Sequence, residues 1–286
     1  MKLKLLVRIR QIISPSSDVI MPHLSDKLLQ INPKETAREI VLLLRSYVEG
    51  NGSSGVVIGM SGGLDSSVVA VLAKRALGNR HVIGVSLPEG GISDPQDFED
   101  AKRLAAKLAI KFYKVDISPP LKVLTAVLPL FDPDEQLAAG NIKARMRMQI
   151  LYYVANRRNA LVLGTSNRSE LMIGYFTKHG DGASDLAPIA GLYKTQVYQL
   201  ASYLKVPSRI VNKKPTAGLW PGQFDEEEIG VEYRLLDLIL YGLENNMLEY
   251  EIASELKIPL KTVKQIHYRM ISSEHKRQKL PIFDSL

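Results

Sequence analysis

The sequence contains no cysteine. That absence removes disulfide frameworks, cysteine zinc sites, thiol nucleophiles, persulfide sulfur transfer and cysteine-based glutamine hydrolysis from the available chemistry. It fits a reducing compartment, and a cytoplasmic location is expected. No apolar run approaches the roughly 18 residues of a membrane span, so no membrane partner is expected. Neither G-x-x-x-x-G-K-[ST] nor G-x-G-x-x-G occurs, which excludes the Walker A loop and the dinucleotide fingerprint. Internal repeats and low-complexity tracts are also missing.

What remains is an ordinary globular composition: 286 residues, 45% hydrophobic and 23% charged, enough for one large α/β domain or two small ones. The formal charge of +7 would suit nucleic acid or a small polyanion such as ATP. Part of the excess is terminal, because Lys2, Lys4, Arg8 and Arg10 face only Asp18 in the first twenty residues. No aromatic-interleaved basic patch accompanies it, so no nucleic-acid partner is expected. The opening stretch lacks the apolar run and cleavage site of a signal peptide, and it breaks at Ser14-Pro15-Ser16-Ser17. Residues 1–21 are therefore expected to be a mobile extension, and residues 22–286 the domain proper.

From Asn32-Pro33, an N-cap followed by proline at the first helical position, the pattern is regular. Four short apolar runs at 55–59, 81–87, 112–116 and 160–164 have strand character. Helical segments are expected at 65–77, 94–109, 134–158, 193–204, 225–243, 248–257 and 260–271. Alternation of helices with continuously apolar strands predicts an α/β fold, a parallel sheet covered on both faces with helices at the C-terminal end.

The strongest local signal runs Gly59-Met60-Ser61-Gly62-Gly63-Leu64-Asp65-Ser66-Ser67, between a strand and a helix. Adjacent glycines let the backbone approach a ligand, and the N–H groups of the turn and helix start form an anion cradle. Ser61, Ser66 and Ser67 add hydroxyl donors. A carboxylate at Asp65 would repel bare polyphosphate, and it makes sense if Mg²⁺ lies between them. The competing reading is a tight turn with Asp65 as N-cap.

Further segments bear on the substrate. On a helix, Ile142, Met146, Ile150, Tyr153 and Val154 share one apolar stripe. Arg145 and Arg147 lie about 200° apart around that helix, so one site cannot use both equally. Arg147 is expected on a solvated face. Thr165 falls at the carboxyl end of a strand, where ligands of open α/β sheets bind. Glu170 reads as a helix-start carboxylate or as a second Mg²⁺ ligand. The glycine-rich segment 174–185 is expected to be a mobile lid or clamp, with Lys178, and later Lys194, offering point charges to phosphates. Isolated, Ser273-Glu274-His275-Lys276-Arg277-Gln278 reads as a solvated basic tail.

The S-G-G-x-D-S-S string resembles the pyrophosphate loop of the enzymes that split ATP into AMP and pyrophosphate. That resemblance leaves open an amidating ligase, a tRNA-modifying ligase and a non-catalytic nucleotide sensor. SGGLDSS, NIKARMRM, GTSNRSE, GYFTKHGDG, LYKTQV, KPTAGLWPGQ and SSEHKRQ then follow in one order. Together they resemble the ammonia-dependent NAD⁺ synthetases from about residue 22 onward. The resemblance implies a Rossmann-like ATP pyrophosphatase fold and ATP-dependent amidation of nicotinic acid adenine dinucleotide by ammonia, through an acyl-adenylate. It also implies a homodimer. Gly59, Met60, Ser61, Gly62, Gly63, Leu64, Asp65, Ser66, Thr165, Lys194 and Thr216 would hold ATP, and Asp65 and Glu170 would bind Mg²⁺. Arg145, Lys178, Asp185, His275 and Lys276 would contact the dinucleotide, with Asp65, Lys178 and Lys194 closest to the chemistry. The chain departs from the family pattern at Thr165-Ser166-Asn167, Gly218 and Phe224. Glutamine-using relatives carry an amidase domain with a nucleophilic cysteine, so ammonia must come free or from a separate glutaminase subunit.

Overall fold

A computed structural model describes residues 23–278, and the proposed extension at 1–21 lies outside them. Four strands, β1 (Gly55–Gly59), β2 (Val82–Ser86), β3 (Lys111–Lys114) and β4 (Ala160–Leu163), form one parallel sheet in the order β3-β2-β1-β4. Val57 pairs with Ile83 on one side and with Val162 on the other. The β1 side chains are buried on both faces, which is why these runs are apolar without alternation.

One face of the sheet is covered by α1 (Pro33–Gly50), α2 (Leu64–Leu77) and α7 (Lys194–Tyr203), whose Leu44, Val68, Leu72 and Leu200 share a core with Val56 and Ile58. The other is covered by α4 (Ser118–Val127) and α5 (Gln136–Arg158), where Ile117, Leu121, Met146 and Ala155 pack on Val57, Val85 and Val162. Between β2 and β3 lies α3 (Pro95–Leu108), which starts at an Asp94 N-cap. Beyond the sheet are α6 (Arg168–Met172), α8 (Ser208–Val211), α9 (Asp225–Ile229), α10 (Tyr233–Glu244), α11 (Glu249–Leu256) and α12 (Leu260–Ser272). A separate core around Leu236, Ile239, Leu240, Ile252 and Val263 holds the C-terminal helices together.

The chain steps from β1 to β2 to β3 in one direction, then returns through α4 and α5 to place β4 on the opposite side of β1. That reversal opens a crevice at the carboxyl ends of β1 and β4. The turns after both strands, with Ser61–Gly62–Gly63 on one and Thr165 on the other, meet there.

Three elements differ from the sequence expectation. The α4 helix was hidden by Pro119-Pro120, which sit in its first turn, where an N–H has no intrahelical partner anyway. The helix expected at 225–243 is two helices, separated at 230–232. Tyr153 is exposed and shares the outer face of α5 with Arg145 and Gln149, while Tyr152 packs toward the core.

Candidate active site

The turn after β1 carries its ligand-facing groups on the backbone. Met60 and Leu64 point their side chains into the core, so only their main chain is available. Gly63 is the N-cap of α2 and offers no side chain to the first N–H groups of the helix, which leaves them for an anion. Asp65 is therefore not the N-cap but the second residue of the helix. Gly62 has φ +83°, and a Cβ there would come within 2.1 Å of the Asp97 carbonyl oxygen, so the position requires glycine. Among the serines, Ser61 is exposed and its Oγ lies 3.1 Å from that of Ser66. Ser67 is buried and donates to the Gly63 carbonyl at 2.7 Å, so it braces the turn rather than facing a ligand.

Three charged side chains converge beside this turn. Lys194, the first residue of α7, places Nζ 2.6 Å from Asp65 Oδ2 and 3.2 Å from Glu170 Oε1. It also lies 4.9 Å from the centre of the Tyr233 ring. Lys194 is 3% exposed, so its ammonium is almost wholly removed from water. Burial alone would lower its pKa, but Asp65 and Glu170 override that and raise it. Burial and the nearby Asp65 push the Glu170 pKa upward, and Lys194 pulls it back.

Local sequence explains how these groups are held. Asn167 caps α6 and receives the Glu170 N–H, while Glu170 Oε2 accepts the Asn167 N–H, a reciprocal capping box. Both readings of Glu170 thus coexist: one oxygen caps the helix and the other meets Lys194. The fully buried Asn167 also donates Nδ2 to Asp65 Oδ1 at 3.1 Å, which locks the two carboxylates in register. Lys194 is fixed from behind by Asp237 of α10. Asp237 accepts the Thr195 N–H at 2.8 Å and the Ser169 hydroxyl, and Ser169 Oγ in turn accepts the Lys194 N–H. Burial pushes Asp237 up to about 6. Asp225, buried beneath Tyr233, accepts both the Tyr233 and Tyr175 hydroxyls.

A second group lies on the α5 side. Lys178 Nζ donates to the His275 carbonyl at 2.8 Å, and Arg145 Nε reaches the Lys178 carbonyl at 3.3 Å. Lys276 Nζ donates to the carbonyls of Gly174 and Phe176 at 2.7 and 2.8 Å. The C-terminal turn is therefore stitched to the glycine-rich segment and is not a free basic tail. Asp185 accepts the Val162 N–H at 2.7 Å and the Tyr152 hydroxyl at 3.2 Å, so it also pins its segment to β4. Thr165 is half-buried at the end of β4, and the exposed Thr216 accepts the Gly218 N–H. Among the described residues, no side-chain hydrogen bond or ion pair joins either threonine to the Asp65–Lys194–Glu170 cluster.

Two expectations need correction. Segment 174–185 is packed, not a loose lid: Thr177 is buried, its N–H donates to Asp181 at 2.8 Å, and its hydroxyl donates to Asn141 of α5 at 2.7 Å. Arg147 is not on a solvated face, for it is half-buried and donates Nε to the Leu87 carbonyl at 3.0 Å. Arg145 is the exposed one of the pair. Asn167, Asp225, Asp237 and Arg147 had no role in the sequence reading. Of these only Asn167 was legible, as the first letter of an Asn-x-x-Glu capping box. A cavity of about 800 Å³ lined by Arg45, Lys74, Arg75 and His81 lies at the amino ends of β1 and β2, away from this chemistry.

A parallel sheet whose switch-point turn presents an anion cradle beside two carboxylates defines an α/β nucleotide-binding fold. The NAD synthase family profile matches residues 36–280, and the chain belongs to that family. It is 46% identical over 246 residues to the NH₃-dependent NAD⁺ synthetase of Methanocaldococcus jannaschii, covering 85% of this chain and 94% of that protein. Among solved structures, the NMN synthetase of Francisella tularensis superposes with a TM-score of 0.79 at 36% identity, covering 90% of this chain and all of the other. The NH₃-dependent NAD synthetase of Campylobacter jejuni superposes with a TM-score of 0.75 at 30% identity, covering 89% and 100% of the two chains.

Proposed function

We propose that this chain completes NAD⁺ by amidating nicotinic acid adenine dinucleotide with ammonia and ATP. The nicotinate carboxylate attacks the ATP α-phosphate, giving an acyl-adenylate and pyrophosphate. Ammonia then attacks the activated carbonyl and AMP leaves. A free carboxylate resists amidation because oxide would have to depart, and AMP is a far better leaving group. The observation that carries this reading is the Asp65–Lys194–Glu170 cluster beside the β1 turn, at the switch point of the sheet.

In this reading the backbone of residues 59–66 holds the triphosphate, with Thr165, Lys194 and Thr216 contributing side chains. Lys194 must release both carboxylates to reach a phosphate oxygen. Arg145, Lys178, Asp185, His275 and Lys276 line the dinucleotide, and Lys178 and Lys194 offset charge on the departing pyrophosphate. Asp65 and Glu170 would hold Mg²⁺. The donor set fits, because two hard carboxylate oxygens already converge on one positive charge, that of Lys194. When bound, Mg²⁺ would supply Lewis-acid stabilisation of phosphate charge.

The test is AMP release from ATP and ammonium with and without the dinucleotide acceptor, followed by detection of NAD⁺. Because one structural relative is an NMN synthetase, nicotinic acid mononucleotide belongs in the same assay. A kcat/KM for the dinucleotide at least about tenfold higher, one full decade in transition-state binding, is expected. Preference for the mononucleotide, or ADP in place of AMP, would overturn the assignment.

The protein is further proposed to be a homodimer. Val123, Val127, Leu130, Leu137 and Tyr153 of α4, α5 and their connection are all more than half exposed, an apolar surface suited to a second copy. Light scattering should give twice the chain mass, and Leu137→Glu with Val127→Glu should give a monomer. A wild-type monomer at micromolar concentration would refute the dimer.

A further inference from the structure

A second cationic bridge lies on the far side of the phosphate-binding turn. Lys213 follows α8 and enters the segment that carries Thr216. Its Nζ is 2.6 Å from Asp97 Oδ1 and 2.6 Å from Asp100 Oδ2, both on α3, and it donates to the Gly62 carbonyl at 3.3 Å. Arg209 Nε meets the other Asp100 oxygen at 2.9 Å. Asp100 is 4% exposed, so the bridge is anchored on a buried charge. Burial opposes the charge on Lys213, but its ion pairs with Asp100 and Asp97 raise its pKa and keep it protonated.

The link to Gly62 has a specific consequence. A peptide group is planar and trans, so turning the Gly62 carbonyl toward Lys213 turns the Gly63 N–H the opposite way. That N–H donates to Ser61 Oγ at 3.2 Å, and Ser61 Oγ contacts Ser66 Oγ. Two consecutive glycines have almost no intrinsic preference between the two orientations of the peptide that joins them. The flipped form would aim a carbonyl oxygen at the triphosphate. The glycines themselves therefore do not hold the productive form; Ser61 Oγ, which accepts the Gly63 N–H, and Lys213, which donates to the Gly62 carbonyl, hold it from either side.

We propose that Lys213 is a positioning residue for ATP: it locks the Gly62–Gly63 peptide with its carbonyl away from the phosphates and ties that turn to the segment bearing Thr216. The inference rests on residues 59–66 being the triphosphate site. A purely structural role, neutralising Asp97 and Asp100, predicts loss of stability without a selective effect on ATP.

Three variants separate the two roles. Lys213→Met should raise the KM for ATP about tenfold, the scale of one charge-assisted hydrogen bond, and leave the KM for the dinucleotide within about twofold. Lys213→Arg, which keeps the charge and can still donate to Gly62, should recover most of that loss. Arg209→Met breaks the outer half of the network without touching Gly62, so it should lower the Tm yet leave the KM for ATP within about twofold. An unchanged KM for ATP in Lys213→Met, or an equal rise in Arg209→Met, would overturn the proposal. Should Lys213→Met fail to fold, Asp97→Asn decides: about a threefold rise in the KM for ATP is expected from weakening one anchor, and no change refutes the role. An Asp65→Ala enzyme with wild-type turnover would instead bring down the reading of the turn itself.

Discussion

Asp65→Ala should slow NAD⁺ formation and AMP release together by about 10²-fold or more, the scale of losing a group that fixes metal or transition-state charge. The expectation follows from position. Asp65 sits two residues past the N-cap glycine of α2, with one oxygen held by Asn167 and the other facing Lys194. Both oxygens are committed to orientation beside the phosphate turn. Folding should survive, because Lys194 keeps Glu170 as a partner and Asn167 keeps its capping box. The substitution should also raise the Mg²⁺ concentration needed for half-maximal rate. The measurement is steady-state AMP release across a Mg²⁺ titration, with circular dichroism as the check on fold. Near-normal AMP release at ordinary Mg²⁺ would undo the role given to this carboxylate.

The largest loss of stability is expected from Lys194→Met. Removing one member of a buried ionic cluster leaves the remaining charges without compensation, typically at a cost of about 3 kcal/mol or more. Here the lysine is 3% exposed, and its two acids retain only 17% and 14% of their side-chain exposure. For a chain of 286 residues that corresponds to a Tm lower by about 5 °C or more. Glu170→Gln should be coupled to it: the double variant should be more stable than Lys194→Met alone, since one orphaned charge has gone. Urea unfolding of the two single variants and the double variant gives that coupling. Independent, additive effects would mean that Lys194 and Glu170 do not act as a pair in the folded protein. Activity should be lost in Lys194→Met at any temperature, because the same ammonium is assigned to phosphate charge.

Much of this architecture could be read from the chain. The β1 strand, the turn after it and the caps at Asn32 and Asp94 have local signatures, and each formed where the residues placed it. Local signals also misled, because Pro119-Pro120 look like a break and glycines at 174–185 look like mobility. In both cases tertiary context decided: first-turn prolines cost a helix little, and a glycine-rich segment can pack tightly when Thr177, Asp181 and Lys276 satisfy its polar groups. The residues that were invisible share one property. Asp237 reaches Thr195 across 42 positions, and Asp97 reaches Lys213 across 116. No window of sequence contains both ends of such a pair. Asp65 and Lys194 are 129 positions apart and Glu170 and Lys194 are 24 apart, and only the family resemblance placed all three in one site before the fold did.

The margins of the sheet carry a consequence for assembly. At one margin, β3 ends in Lys111 and Lys114, exposed charges that would clash with an incoming strand. At the other, β4 is already covered by its own chain: Asp185 and Leu186 take up the Val162 and Gly164 amides. Among the described residues, neither margin of the sheet is open to edge-to-edge growth. Association between copies would then fall to surfaces such as the exposed apolar side chains of α4 and α5. That leaves the register of the four strands, and with it the spacing of the two turns they present, untouched by whatever the molecule binds to.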